Sequence, residues 1–415
     1  MSTSTLVIGA GIMGLCCAEE LQQRGHKVTV IDRQSEPPGC SFGNGGIIVP
    51  SHFVPIASAG MLRAGIKMML KPGSAFGLAG IPDLETLGWI AKFMSAAKPA
   101  KTEASMPLLK DLNILSKKLY MELIPQLGCD TGWSTRGLLM LCRTEAALEE
   151  ERKLAETAGK LGLLTKELSG SELATLEPGV EMKVAGAVHF YDDAHLTPPA
   201  FMAALKERMC DAGVRFVSGE VSGLRKEGRT VKAALTSQGE LTADNYVVAA
   251  GVWSRALARQ IGLKIPLLSG KGYGITVEQP PAKLTIPSIL TEARIAVTPM
   301  LDGVRFVGGL ELGHPQPGID RRRVERMRSA IGEYYPQFDR QAVERSVVWY
   351  GHRPCSPDGL PYIGRTKHAE NLAFATGHAM MGMSLGPVTG RLVAQCLEGE
   401  RPDVALDLLS PDRYE

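Results

Sequence analysis

The segment Thr5-Leu-Val-Ile-Gly-Ala-Gly-Ile-Met-Gly constrains the fold more than any other part of the chain. Its apolar run reads as a short strand, and from Ile12 to Leu21 apolar residues recur at helical spacing, so a strand turns directly into a helix. Gly9, Gly11 and Gly14 form GxGxxG across that turn. The first permits a sharp bend, the second lets backbone amides approach a pyrophosphate, and the third lets helix pack on sheet. Phosphates then lie at a helix N-terminus, where unpaired N–H groups and the dipole favour anions. Gly25 closes the helix, Lys27 to Ile31 reads as a second strand, and Asp32 ends it 18 residues after Gly14. A carboxylate there accepts both ribose hydroxyls and repels a 2′-phosphate, which argues against NADP. The unit predicts a dinucleotide site; NAD and FAD remain open at this point.

A second small-residue loop follows, Gly39-Cys-Ser-Phe-Gly-Asn-Gly-Gly-Ile-Ile. Ser41 and Asn44 can bond phosphate or ring edges, and Gly45 and Gly46 allow contact with a planar ring, which NAD sites do not need. From here the sequence resembles the FAD-dependent D-amino-acid oxidase fold family, in particular its branch of glycine oxidases, sarcosine oxidases and bacterial D-amino-acid dehydrogenases. The resemblance covers nearly the whole chain. It implies an α/β fold: a Rossmann-like FAD-binding domain at 1–52, 146–262 and 350–415, interleaved with an α+β substrate domain at 53–145 and 263–349 that carries a mainly antiparallel sheet. It also implies FAD contacts from Gly9, Ala10, Gly11, Ile12, Met13, Gly14, Asp32, Arg33, Ser41, Asn44, Gly45, Gly46 and Ile47.

Later segments carry the same resemblance. "YDDAHLTPPAFMAAL", around Asp193 to Leu205, is a proline-containing turn into a helix that returns the chain to the FAD domain in relatives. Arg215 to Val221 reads as a short strand, and relatives touch adenine with the backbone matching Val221; an ordinary edge strand is the alternative. "NYVVAAGVWS" is a buried strand running into Ala250 and Gly251, where small residues let backbone cross the cofactor. Trp253 either covers the ring or is plain core. "SGKGYGITV" and "ARIAVTPMLDGVRFVGGLEL" alternate as strands, with Asp302-Gly303 as a hairpin turn. Glycine oxidases carry a carboxylate-binding arginine just ahead of that turn, and Met300 stands there.

"YGHRPCSPDGLPYIG" resembles the family's G-x-R-P segment beside the flavin. Arg353 is the candidate clamp for a substrate carboxylate, since a guanidinium grips both oxygens; the alternative is an arginine paired with Asp358 or a carbonyl. Tyr273, on a strand facing the ring, and His52, just after the small-residue loop, are the further substrate candidates. The closing "LAFATGHAMMGMSLGPVTGRLVAQCLEG" reads as a strand, a Gly-His loop and a helix from about Leu385 to Leu397. Gly377, Met381, Gly382, Met383 and Ser384 are expected at the pyrimidine end of the flavin, with the amides of 381–383 stabilising charge on the reduced ring. His378 is either structural or catalytic. Relatives that tether FAD place a histidine or cysteine at positions matching Gly43 and Gly351, so the resemblance implies noncovalent FAD, with Cys355 four residues too late.

Composition excludes other classes. Lys+Arg 46 against Asp+Glu 44 gives a net charge of +2, without the concentrated positive charge that phosphate runs demand, so nucleic acid is not an expected partner. The 46 glycines exceed the usual ~7 % and imply many tight turns. Eight cysteines without a CxxC pair argue against a disulfide framework or zinc site. No leader precedes the first strand and no run of ~18 apolar residues occurs, so a cytoplasmic protein without a spanning helix is expected. Between His52 and Lys101, hydrophobics at helical spacing alternate with Arg63, Lys67, Lys71, Lys92 and Lys98. Substrate-domain core with a basic edge is the preferred reading; a surface meeting the inner membrane or a redox partner is the alternative. The tail from Arg401 is expected to fray.

The resemblance implies an FAD-dependent dehydrogenase of amino-acid catabolism that oxidises the Cα–N bond of a small amino or imino acid, D-configured or achiral. The "SFGNGGIIVPSHFVP" segment looks most like bacterial D-amino-acid dehydrogenases, including those for D-hydroxyproline, which pass electrons to a quinone. A glycine/sarcosine-type oxidase using O2 and an FAD-carrying noncatalytic subunit are the alternatives. Handedness, acceptor and oligomeric state are open at this stage.

Overall fold

Hydrophobic strand residues build the first sheet. The computed structural model describes residues 2–33, 39–58, 60 and 76–415. Ser4–Ile8 is buried from Thr5 to Ile8, as a strand covered on both faces must be. It pairs in parallel with Lys27–Asp32 on one side and Asn245–Val248 on the other. Arg215–Ser218 continues the parallel sheet beyond Lys27–Asp32, and Ala369–Thr376 continues it beyond Asn245–Val248, with Tyr362–Thr366 antiparallel at the edge. This is the Rossmann-like unit that the glycines and Asp32 imply.

Helices Ile12–Gln23, Pro198–Asp211 and Gly386–Glu398 cover one face, burying Leu15, Leu21, Phe201, Leu205, Val388 and Leu392 in a single apolar cluster. The first and last of these helices touch backbone to backbone: a Cβ on Gly390 would fall 2.3 Å from the Cys16 carbonyl oxygen. The other face packs Leu6, Ile8, Tyr246 and Val248 against Leu257, Ile261 and a small three-stranded sheet, Val221–Glu227, Thr230–Thr236 and Gly239–Leu241.

A second sheet has nine strands among the described residues. Its order is Val347–Cys355, Leu268–Val277, Gly303–Gly313, Ile295–Met300, Ser288–Leu290, Leu138–Cys142, Gly186–Phe190 and Thr165–Leu168, with Phe76–Leu78 pairing with Gly303–Gly313. The pairs are antiparallel except Ser288–Leu290 with Leu138–Cys142 and Phe76–Leu78 with Gly303–Gly313. This matches the mainly antiparallel substrate sheet. At its hairpin Met300 pairs with Gly303, so Leu301 and Asp302 make the turn and Gly303 begins the return strand.

The interleaving differs from the expected boundaries in three places. The stretch from 146 to 190 adds Thr165–Leu168 and Gly186–Phe190 to the nine-stranded sheet, because helix Glu145–Lys160 buries Leu148 and Ala158 against that sheet's residues. Residues 350–355 likewise finish an edge strand of the nine-stranded sheet. Helix Pro99–Leu123 instead packs Leu109, Leu112 and Tyr120 into the core of the parallel sheet.

The tail does not fray. Arg413 forks onto Asp358 at 2.7 and 2.9 Å, stacks on Tyr362, and leaves Leu409 buried. In the basic amphipathic stretch, Trp89 is buried, yet Ile81 and Leu84 are 97% and 89% exposed. The preferred core reading therefore holds for only part of that stretch. Arg63, Lys67 and Lys71 lie outside the described residues. No helix among the described residues is long and apolar enough to cross a membrane. All eight cysteines are free.

Candidate active site

The carboxyl ends of the parallel strands open onto a cavity of about 610 Å³, where an open α/β sheet binds its ligand. Gly9, Ala10, Gly11, Ile12 and Met13 line it, with Asp32, Arg33, Ser41, Asn44, Val221, Ala250, Gly251, Trp253, Gly382 and Met383. Backbone leaves no room for a side chain at two of the three glycines. A Cβ on Gly9, whose φ is +111°, would fall 2.5 Å from the Ala249 carbonyl oxygen; one on Gly14 would fall 1.8 Å from that of Gly9. A Cβ on Gly11 would crowd Ser41 Oγ at 3.2 Å. That hydroxyl accepts from Ile12 N–H at 3.0 Å, keeping its own proton for a ligand at the helix N-terminus. Asp32 Oδ2 accepts from Ala10 N–H at 2.7 Å, which fixes the carboxylate at the ribose end. Trp253 stands at the same end: the Arg33 guanidinium lies 3.9 Å from its ring centroid and His352 meets it edge-on. It therefore lines the cavity at its Arg33 end.

The small-residue loop is held from outside the cavity. Asn44 Oδ1 accepts from Gly46 N–H at 2.8 Å, and a Cβ on Gly46 would strike the Leu196 carbonyl oxygen at 2.1 Å, so Gly46 is required by packing behind the loop. Ile47 pairs with His195 in a two-stranded ribbon. Gly45, Gly46 and Ile47 are absent from the cavity lining. Arg305, missed in the sequence, spans loop and sheet: it donates to the carbonyls of Phe42 and Asn44 at 3.0 and 3.1 Å and to Thr276 Oγ1 at 3.2 Å. Behind the loop Asp193 accepts from the N–H and hydroxyl of Ser51 at 2.9 and 2.5 Å. Burial pushes the Asp193 carboxyl up to about 7.

The three substrate candidates separate. Arg353 is 8% exposed, lies with its guanidinium across Gly272, and donates to the Gly309 carbonyl at 2.6 Å. Its suggested partner Asp358 is taken by Arg413. Among the described residues no carboxylate pairs with Arg353, and a buried guanidinium without one is suited to an anionic ligand. Tyr273 points to the opposite side of its strand from Gly272, as alternation requires. It is buried in the core of the substrate sheet, donating to Glu311 Oε1 at 2.5 Å. That placement removes it from the ring side. His52 Nδ1 lies 3.0 Å from Ser51 Oγ, behind the loop, and burial with the nearby Arg294 charge pushes its pKa down to about 4.

The closing loop keeps part of its expected role. Met381 N–H already donates to the His378 carbonyl at 2.9 Å, whereas the N–H groups of Gly382 and Met383 donate to no described residue. Ser384 is fully buried; its hydroxyl donates to Asn113 Oδ1 at 2.5 Å and accepts from Val49 N–H at 2.8 Å. It ties small-residue loop, closing loop and helix Pro99–Leu123 together, and its hydroxyl proton is taken by Asn113. Gly377, at φ +82°, backs onto Tyr362. His378 lines the cavity with Nε2 on Thr389 Oγ1 at 2.9 Å and Nδ1 buried without a partner, and burial pushes its pKa down to about 3. The low pKa keeps the imidazole neutral, and its Nδ1 has no partner among the described residues.

The family model described as "FAD dependent oxidoreductase" matches residues 4–396. The chain is 30% identical over 400 residues to a D-amino acid dehydrogenase of Helicobacter pylori, covering 95% of this chain and 94% of the relative. It is 29% identical to a D-amino-acid oxidase of Bradyrhizobium diazoefficiens, covering 98% of each. The glycine oxidase structure from Geobacillus kaustophilus superposes with a TM-score of 0.76 over 100% of both chains at 21% identity, which is a likeness of fold. The residues present fit FAD: Gly9 and Gly14, where backbone excludes a Cβ, a helix N-terminus at Gly11 to Met13 facing the cavity, the Asp32 carboxylate beside it, and the His378 imidazole, whose Nδ1 has no partner among the described residues, further along the same cavity.

Proposed function

The chain belongs to the family of FAD-dependent oxidoreductases, and on that premise we propose that it oxidises the Cα–N bond of a small D-amino or imino acid to an imine, which water hydrolyses to a keto acid. FAD, when bound, supplies the acceptor for the hydride leaving Cα. The protein's own contribution is placement and charge. Arg353 grips the substrate carboxylate with the donors that Gly309 does not use, and so fixes which face of Cα is presented. Arg305 holds the loop against the substrate sheet. The N–H groups of Gly382 and Met383 stabilise the negative charge that reduction places at the end of the cavity. The cofactor is held without a covalent bond, since Gly43 and Gly351 offer no nucleophile and the Cys355 thiol faces the Arg353 carbonyl.

The observation that carries this reading is Arg353 itself: a buried guanidinium with no carboxylate partner among the described residues, beside the small-residue loop. Anaerobic mixing of the flavin-loaded protein with D- and L-amino acids, D-hydroxyproline, glycine and sarcosine tests it. Bleaching of the flavin by D-enantiomers, with substrate affinity weakened at least about tenfold in Arg353→Lys, is expected. Bleaching by L-enantiomers alone overturns the handedness, and unchanged affinity in Arg353→Lys overturns the clamp. For the acceptor we propose a quinone reached by peripheral contact with the cytoplasmic face of the membrane. Ile81, Leu84, Leu87 and Met94 are exposed on and beside helix Leu84–Ala96, near Lys92 and Lys98. Co-sedimentation with phosphatidylglycerol vesicles, lost in an Ile81→Ser/Leu84→Ser double variant, is the expected result; O2 consumption at the same rate as dye reduction favours the oxidase alternative.

A further inference from the structure

Strand Leu268–Val277 carries glycine at 270, 272 and 274, so one of its faces is bare backbone. On the neighbouring strand the residues opposite these three are Arg353, Gly351 and Trp349 in turn. Alternation puts those three on that same bare face. The two large side chains lean toward each other across it. The Arg353 guanidinium lies over Gly272, within 2.1 to 2.3 Å of where a Cβ would stand. The Trp349 indole lies over Gly351, with its Cη2 2.2 Å from the Cβ position there. Gly272 and Gly351 are themselves a register pair. Cation and indole therefore share one two-glycine floor.

The same indole reaches the small-residue loop, where a Cβ on Gly43 would fall 2.2 to 2.4 Å from its ring atoms, and it touches the Cβ position of Gly274 at 3.4 Å. Three glycines on three segments thus leave room for one tryptophan. Nothing in the cofactor site requires this, since Gly43, Gly351 and Trp349 are not among the residues lining that cavity. Guanidinium and indole cover adjacent glycines of one floor, so a molecule anchored by its carboxylate on Arg353 meets the indole next.

We propose that Trp349 is the specificity-determining residue that limits the length of the substrate side chain. This rests on the reading of Arg353 as the carboxylate clamp. With the carboxylate on the guanidinium, the substituent at Cα is turned against the neighbouring indole. A short aliphatic or ring-closed side chain is accommodated with apolar contact, and a long or aromatic one collides. The ring packs against glycines of three segments, so the limit is set by its size.

Titration of the FAD-loaded protein with acetate and with phenylacetate, followed by the visible flavin band, reads this without turnover. Trp349→Leu is expected to tighten phenylacetate relative to acetate by about tenfold, with acetate itself changed by less than about threefold. A ratio unchanged from the parent overturns the proposal. Should Trp349→Leu fail to retain FAD, Trp349→Phe is read on the same ratio; a shift toward phenylacetate supports the assignment and none overturns it. Arg353→Lys supplies the separate arm: acetate binding indifferent to that change sinks the clamp, while the Trp349 ratio is still measured on its own.

Discussion

A methyl group on Gly14 would stand 1.8 Å from the Gly9 carbonyl oxygen, a distance no rotamer relieves because both atoms are backbone. Gly14→Ala is therefore expected to cost several kcal/mol, about 3 or more, and to abolish FAD retention, read by thermal melting and by the flavin-to-protein absorbance ratio. Asp193 provides the pH-dependent counterpart. Its folded pKa of about 7 lies above the ~3.9 of an unfolded aspartate. The native state therefore holds a proton that the unfolded state has lost, and stability from this group falls as pH rises from ~4 through about 7. Asp193→Asn keeps an acceptor for Ser51 N–H and removes the ionisation. Relative to the parent, its melting temperature should rise progressively between pH 5 and 8, by an amount worth roughly 2.5 kcal/mol; a constant difference across that range contradicts the buried, protonated carboxyl. At this scale the sequence made legible the gathering of Gly9, Gly11, Asp32 and Ser41 around one cavity and the close packing of Gly14. It was not legible at Arg305 or Trp349. Their roles depend on which strand lies opposite, and only the alternation of Gly270, Gly272 and Gly274 hinted that one face was being kept clear.

Three elements meet at Ser384: the small-residue loop through Val49, the closing loop, and helix Pro99–Leu123 through Asn113. Asn113 is itself anchored, donating to the Leu109 carbonyl at 2.9 Å. Asn113→Ala leaves the buried hydroxyl without its acceptor, at a cost of about 1 to 3 kcal/mol. Because the pieces it separates are the two loops that enclose the cofactor, FAD dissociation should accelerate more than unfolding does, which stopped-flow fluorescence of released flavin and chemical denaturation compare directly. Equal effects on both would mean the junction is structural alone. The strand–turn–helix opening and the antiparallel hairpin were readable from periodicity. The role of helix Pro99–Leu123 was hidden by its charged, weakly periodic sequence: its buried residues face the parallel sheet, a neighbour that only the folded chain reveals. Tyr273 fails as a substrate contact for a related reason, since a one-residue step along a strand reverses the face and nothing local says which face is which.

In the whole molecule the parallel sheet supplies the cofactor cavity and the nine-stranded sheet supplies the glycine floor, with residues 39–52 and 377–384 crossing between them. The chain passes between the two sheets more often than the expected boundaries allowed, because the helix from 145 to 160 serves the second sheet and the helix from 99 to 123 serves the first. A ligand spanning such a junction should stabilise the whole: at a hundredfold excess over its dissociation constant FAD is expected to add about 2.7 kcal/mol, melting as one transition. The most direct test of the account is reconstitution of the apo-protein with FAD, followed by acid precipitation. We expect uptake of one FAD per chain, a yellow protein with a higher melting temperature, and full recovery of the FAD in the supernatant, with Gly14→Ala taking up none. A parent protein that stays colourless with FAD, or a flavin that remains with the precipitate, would contradict it.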